Sequence, residues 1–317
     1  MENQLKIDKD LFTPLSEDEK KIEVSVRPSV GYWKDAWMRL KKDKLALASL
    51  IVIVVVVLAA IFIPKFSQYD YAANNLSATY LKPSAEHWFG TDNLGRDIFV
   101  RIFYGARYSL AIAVLAAFIN LVIGVIYGGI AGFFGGLVDT ILMRIVDVIS
   151  SIPLTIYVII FMAILNKPGD GGAGGSGLLT IVLALSISYW IGMARIVRGD
   201  VLQLKQQEFV LAAKSLGASN FRILVRHLIP NCMGSIMVTL TLLIPEAVFT
   251  EAFLSFLGLG IAAPRASLGT LANEAMNAIY TYPYQLVFPS VMICIIILAF
   301  NLFGDGLSQA LDPKNKR

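Results

Sequence analysis

Residues 45–63 read LALASLIVIVVVVLAAIFI, nineteen residues in a row without a charge. At ~1.5 Å per residue, a helix of that length covers roughly the ~30 Å hydrocarbon layer of a bilayer. The run is rich in Val and Ile, but strands are usually only about 5–6 residues long, so length decides for a membrane-spanning helix. The rest of the chain agrees. Of its 317 residues 56% are hydrophobic and only 16% charged, against about 25% charged in ordinary soluble domains. That deficit excludes a disordered chain and a simple cytosolic enzyme. The run begins only after about forty residues and shows no secretory cleavage pattern, so it reads as an uncleaved anchor.

Five more apolar runs follow: about Tyr108 to Ile130, Val148 to Leu165, Leu178 to Met193, Met233 to Leu257 and Leu286 to Phe303. The third has a charged inner extension at Asp139, Arg144 and Asp147, and the fifth carries Glu246 and Glu251. The expected fold class is all-α, a polytopic membrane protein with six transmembrane helices. An even number puts both termini on one side. Residues 1–44, 194–231 and 312–317 together hold 19 Lys and Arg, against 7 in residues 65–107, 166–177 and 258–285, with Arg144 between. The positive-inside rule therefore places both termini and the 194–231 loop in the cytoplasm.

The expected organisation has a disordered cytoplasmic tail at 1–30, alternating acids, bases and Pro. An amphipathic interfacial helix follows at 31–44, with Trp33, Trp37 and Leu40 on one face and Lys34, Arg39, Lys41, Lys42 and Lys44 supplying charge. The first transmembrane helix occupies 45–63 and an extracellular segment 64–107. A five-helix core fills 108–312, including the loop 200–231, and a short cytoplasmic tail ends the chain at 313–317. Residues 166–177 (NKPGDGGAGGSG) read as a flexible outer connector.

The net charge of +4 fits basic cytoplasmic loops, not nucleic-acid binding. Cys232 and Cys294 offer no disulfide framework or cysteine metal site. Gly169 to Gly174 formally matches GxGxxG, but it lies between two spans with no strand before it, so it reads as linker. There is no P-loop, HExxH or GxSxG. His87 and His227 fall on opposite sides of the membrane, which excludes a shared zinc site.

Residues 200–231 (DVLQLKQQEFVLAAKSLGASNFRILVRHLIPN) are the informative loop. Glu208 opens a segment of good helix formers, and Leu204, Val210, Leu211 and Leu216 offer apolar contacts. Ala212 and Ala213 permit close approach, and Gly217 stands where a helix-ending glycine belongs. Ser219 or Asn220 caps a second segment in which Arg222 and Arg226 flank Ile223, Leu224 and Val225; Pro230 marks the next boundary. This is a helix–turn–helix with an apolar tip facing water, the mark of a protein-docking surface.

The pattern Ala212-Ala213-x-x-x-Gly217, with Pro230 thirteen residues after the glycine, resembles the EAA loop of ABC importer permeases. It departs at Leu211, where that motif has Glu, and at His227, where it has Ile; the Glu role does not carry over to Leu211. His87 to Asp97 (HWFGTDNLGRD) with Tyr104-Gly-Ala-Arg107 resembles the outer segment of the second permease subunit of dipeptide, oligopeptide and nickel importers. Gly135-Gly136, Asp139, Met143-Arg144, Asp147 and Pro153 resemble its third span, and Glu251 to Gly260 the end of its fifth. The resemblance runs from about Tyr32 to Pro313.

It implies a type I importer of peptides, most readily oligopeptides, with dipeptides or nickel as the alternative cargo. Its partners would be a homologous second permease, two cytoplasmic ATPases holding ATP and Mg, and an extracellular solute-binding protein, all at a bacterial cell membrane. This chain would bind no cofactor. Glu208, Ala212, Ala213, Gly217, Arg222 and Pro230 would form its ATPase-coupling segment. Glu246 and Glu251 are candidates for the translocation path or the seam between permeases, because an ionised group at membrane depth needs water or a partner. By helical period Glu251 faces about 140° away from Glu246. Arg144 and Asp147, three apart, are expected to form an ion pair. Gly90, Thr91, Asp92, Arg96 and Asp97 are either a helix cap or an outer docking element. Two other classes remain: an intramembrane aspartyl-type enzyme, for which no paired motif is present, and an ion-coupled carrier, which predicts internal repeats that are not visible.

Overall fold

The computed structural model describes residues 31–165, 176–261 and 264–311. The tail at 1–30, residues 166–175 of the connector and the tail at 313–317 lie outside the described residues. The chain divides at Asp35–Ala36. The described part of the first unit is the opening turn of α1, and the folded body begins at Ala36.

Among the described residues the architecture is helical, with a single isolated bridge between Thr91 and Asp97. The elements in order are α1 (Tyr32–Leu40), α2 (Lys44–Phe66), α3 (Ile98–Phe134), α4 (Gly136–Ser150), α5 (Leu154–Leu165), α6 (Ser176–Ser188) and α7 (Trp190–Leu204). They continue with α8 (Glu208–Ser215), α9 (Asn220–Ile223), a π-helical turn (Leu224–Leu228), α10 (Ile229–Asn231), α11 (Met233–Phe256), α12 (Leu268–Met276) and α13 (Tyr284–Leu311).

Five stretches are long and apolar enough to cross a membrane: α2, α3, the joined α6–α7, α11 and α13. The third expected span is not one straight helix. It breaks into α4 and α5, bent by 77°, and reaches six spans only when that pair counts as one. Pro153 stands at the break, where it has no N–H to continue the ladder and disfavours helical geometry in the residue before it. The second expected span is longer than its apolar run: α3 begins at Ile98, where the Asp97 carboxylate accepts the Val100 N–H at 2.9 Å. The amphipathic segment is shorter than 31–44. α1 stops at Leu40, and Asp43 caps α2 by accepting from the N–H groups of Leu45 and Ala46.

α3 is the centre of the body. Gly124, Gly128 and Gly132 recur every fourth residue on its α7 side. A Cβ at Gly128 would sit 2.3 Å from the Ala194 carbonyl oxygen, and one at Gly132 would sit 2.8 Å from that of Arg198. Lipid tails are as apolar as Leu, so this close backbone approach does the packing work that hydrophobic burial does in water. Leu45, Ile51, Val54, Val55, Leu58, Ile61 and Phe62 of α2 are exposed, as lipid contact requires. α12 lies between α11 and α13 in the chain. It is clamped between α3 and α11: a Cβ at Gly105 would meet Ser267 backbone at 3.0 Å, and one at Gly269 would meet the Ala252 carbonyl at 2.3 Å.

Candidate functional site

The loop between α7 and α11 folds as two short helices. Gly217 has φ +79°, and the Ala218 N–H reaches the Ala213 carbonyl while the Gly217 N–H reaches that of Lys214. This is the paired hydrogen-bond pattern of a left-handed helix end, which glycine adopts without strain. Ser219 caps the next helix, its hydroxyl accepting the Arg222 N–H at 3.3 Å. A π turn then carries the chain into Pro230, at the start of α10.

Burial sorts the coupling candidates. Val210, Ile223 and Leu228 are fully buried and pack with Val197, Val201 and Ile236, fastening the loop to the ends of α7 and α11. Ala213 is half-buried against the same cluster, so it belongs to the loop's own packing. Glu208, Ala212, Gly217, Arg222 and Pro230 are exposed. Beside them stand Leu211 (55% exposed), Leu216 (88%) and Phe221 (76%). A rigid underside thus carries an uncovered apolar tip.

Three charged contacts hold this end of the bundle. The Arg198 guanidinium grips both oxygens of Asp139 at 2.5 and 2.6 Å, joining α7 to α4. Lys205 donates to the Gly132 carbonyl at the end of α3, 2.8 Å away, where a cation suits the helix dipole. Asp147 pairs with Arg195 at 3.3 Å in an exposed contact, so the expected Arg144–Asp147 pair gives way to one between α4 and α7. The partner comes from another helix that sequence spacing does not reveal.

The two carboxylates of α11 have opposite environments. Glu246 is exposed, one turn from exposed Leu242 and Phe249, and it has no ion-pair partner among the described residues. Its neighbour Tyr189 shares a short hydrogen bond with Thr250. Glu251 has no exposed surface. The Ser109 hydroxyl donates to it at 2.6 Å and the Ser255 hydroxyl at 2.7 Å, while Ser109 accepts the Leu268 N–H at 3.4 Å. Glu251 therefore ties α3, α11 and α12 together inside one chain. It is removed from the path-or-seam assignment, because a surface between subunits cannot reach a carboxylate so enclosed.

The outer segment is built on charge. Asp92 accepts the N–H groups of Leu94 and Arg96, the Arg96 guanidinium at 2.7 Å and a short bond from Arg101. Both arginines continue to Glu274 on α12, at 3.1 and 2.8 Å. Burial pushes the Asp92 carboxyl up. The Arg101 charge, the Arg96 N–H and the Arg96 charge outweigh it and hold the group below the usual carboxylate range. Thr91 donates to the Ala78 carbonyl at 2.5 Å and accepts the Leu81 N–H at 2.8 Å. Gly90, at φ +77°, lies against the Leu81 carbonyl. Asp97 caps α3 and meets His87 Nδ1 at 2.8 Å. All five are buried in the scaffold. Arg101 and Glu274, which complete this cluster, carry no local motif, and they lie 173 positions apart in sequence.

Residues 124–317 match the family model described as binding-protein-dependent transport system inner membrane component, and residues 31–83 match the N-terminal TM domain of oligopeptide transport permease C. The chain is 51% identical to the oligopeptide transport system permease protein OppC of Bacillus subtilis, covering 98% of this chain and 99% of that one. It is 49% identical to the dipeptide transport system permease protein DppC of the same organism, over 92% and 88%. The fold is similar to a chain of the inward-facing MetNI methionine ABC transporter, with TM-score 0.53 and 18% identity over 67% of this chain and 96% of that one. Broken third span, joined fourth span and inner loop all lie within the matched region, and this multi-pass membrane chain belongs to the family of inner membrane components of binding-protein-dependent transport systems.

Proposed function

We propose that the chain is one of two permease subunits in an ATP-driven importer of peptides. It works beside a homologous permease, two cytoplasmic ATPases that hold ATP and Mg, and an extracellular solute-binding protein, with both termini in the cytoplasm. The observation that carries the reading is the uncovered tip of α8–α9, with Leu216 and Phe221 outward and Val210 and Ile223 locked beneath it. Apolar groups held out on a rigid base suit a groove on a partner. ATP hydrolysis is assigned to that partner, and this chain is not an enzyme. Glu246, exposed at mid-span, is assigned to the path or the seam.

Oligopeptides are the favoured cargo, because residues 31–83 match the N-terminal domain of an oligopeptide permease. The dipeptide relative at nearly equal identity keeps dipeptides as the second reading. The test is a pull-down of the gently solubilised full chain, followed by reconstitution with the subunits recovered. An ATPase should co-purify, and labelled tetrapeptide uptake should be outcompeted by tri- and tetrapeptides more strongly than by dipeptides. Recovery without any ATPase overturns the permease reading; stronger competition by dipeptides overturns only the cargo.

A further inference from the structure

A cavity of about 460 Å³ opens beside the C-terminal end of α2 and is used by nothing described so far. Its walls include Phe66, Tyr69, Glu86, Trp88, Asp97 and Phe99. Trp88 meets Phe99 edge-on with ring centroids 4.8 Å apart, and Tyr69 lies over His87 at 4.6 Å. Asp97 is already engaged by His87 and by the Val100 N–H. Glu86 is not: it is exposed, with no hydrogen-bond or ion-pair partner among the described residues. Aromatic faces around a free carboxylate favour an ammonium group.

A charge of the opposite sign stands next to the wall residue Phe66. Lys65, in the last turn of α2, holds its Nζ 5.9 Å from the centre of the Phe66 ring. Negative and aromatic within, with a cation next to one wall, the site suits a zwitterion whose ammonium and phosphate are a few ångströms apart. Position names the source. The cavity is walled by Ile63 and by Phe66 to Tyr69, where a helix of bilayer length ends, which is the depth of lipid headgroups. Phe62 and Phe66 stack on the exposed side of α2, 48% and 74% exposed, where acyl chains would run. A soluble ammonium ligand would have no use for that surface.

We propose that this cavity is a binding site for the headgroup of a zwitterionic aminophospholipid, the ammonium held by Glu86 and the aromatic walls and the phosphate facing Lys65. The volume falls in the ~300–1,000 Å³ range of small-molecule sites.

The test uses the full chain, with whatever subunits co-purify, in nanodiscs of phosphatidylethanolamine and phosphatidylglycerol, followed by native mass spectrometry of retained lipid. One phosphatidylethanolamine per chain should be retained, with phosphatidylglycerol washed away. Glu86→Gln and Trp88→Ala should each lower retention by about tenfold, while Phe118→Ala, exposed at mid-span on α3, should not. Glu86 supports no other contact, so Glu86→Gln decides the matter if Trp88→Ala proves unstable. Equal retention of both lipids, or full retention by Glu86→Gln, overturns the site. Displacement of the lipid by a soluble tripeptide at millimolar concentration overturns the lipid as occupant in favour of a soluble cation.

Discussion

Asp92 accepts hydrogen bonds from two arginines and two backbone N–H groups at once, so its charge is worth most where water reaches it least. Asp92→Asn leaves Arg96 and Arg101 sharing only Glu274, and removing one partner of a buried pair costs about 3–5 kcal/mol. The thermal midpoint of the solubilised protein should fall accordingly. The pH dependence follows from the direction of the shift. A carboxyl held below its unfolded value of ~4 contributes its full stability above that pH and loses it as the pH falls through the lower native value. The difference between wild type and Asp92→Asn should thus be constant from pH 8 to 5 and shrink only in stronger acid. The two glutamates of α11 separate function from architecture. Glu246→Gln should impair uptake with assembly intact, measured by transport and by the yield of complex; normal uptake removes Glu246 from the path. Glu251→Ala bares the Ser109 and Ser255 hydroxyls, at about 1–3 kcal/mol, and should lower the yield of folded protein before any effect on transport is measurable.

At the scale of elements, the α3–α7 contact depends on what glycine omits. Gly128→Ala pushes a methyl group against the Ala194 carbonyl and should cost about 1–3 kcal/mol by melting midpoint. Gly199→Ala on exposed α7 surface meets nothing within 4 Å and should be neutral or slightly stabilising. In the inner loop, Gly217 has room for a side chain but not the backbone angle for one. Gly217→Val should cost about 1 kcal/mol or more through strain alone. Ala212→Arg places charge on the outward face, whereas Ala213 packs inward; Ala212→Arg should weaken ATPase recovery and substrate-stimulated hydrolysis while leaving the melting midpoint unchanged. Normal ATPase recovery with Ala212→Arg would sink the docking role. Local signals of this kind were readable beforehand: the helix-ending glycine and the Ser219 cap follow from neighbours in sequence, whereas the inward turn of Val210 beside outward Leu211 and Leu216 does not. α12 is legible in the same way. Ser267 and Thr270 form a reciprocal cap before Leu268, Leu271, Ala272 and Ala275, spaced to line one helical face. The Asp139–Arg198 clamp and the partner of Asp147 were out of reach, because each joins residues that only the fold brings together.

For the whole molecule, the asymmetry of 19 against 7 basic residues makes orientation testable. In a chain with Cys232 and Cys294 replaced, a cysteine at exposed Asn93 should react with an impermeant reagent in intact cells. One at exposed Ser219 should react only after permeabilisation; the reverse pattern inverts the topology. Span number and order were legible because long apolar runs have no other stable solution. The bend in the third was not, because hydropathy integrates over a window and is blind to direction. α4 has 15 residues and α5 has 12, which at ~1.5 Å each give roughly 22 and 18 Å. Neither alone bridges the ~30 Å of hydrocarbon. The two halves can therefore cross only together, and the 77° bend makes the third crossing a pair of half-spans whose shared end is fixed at Pro153.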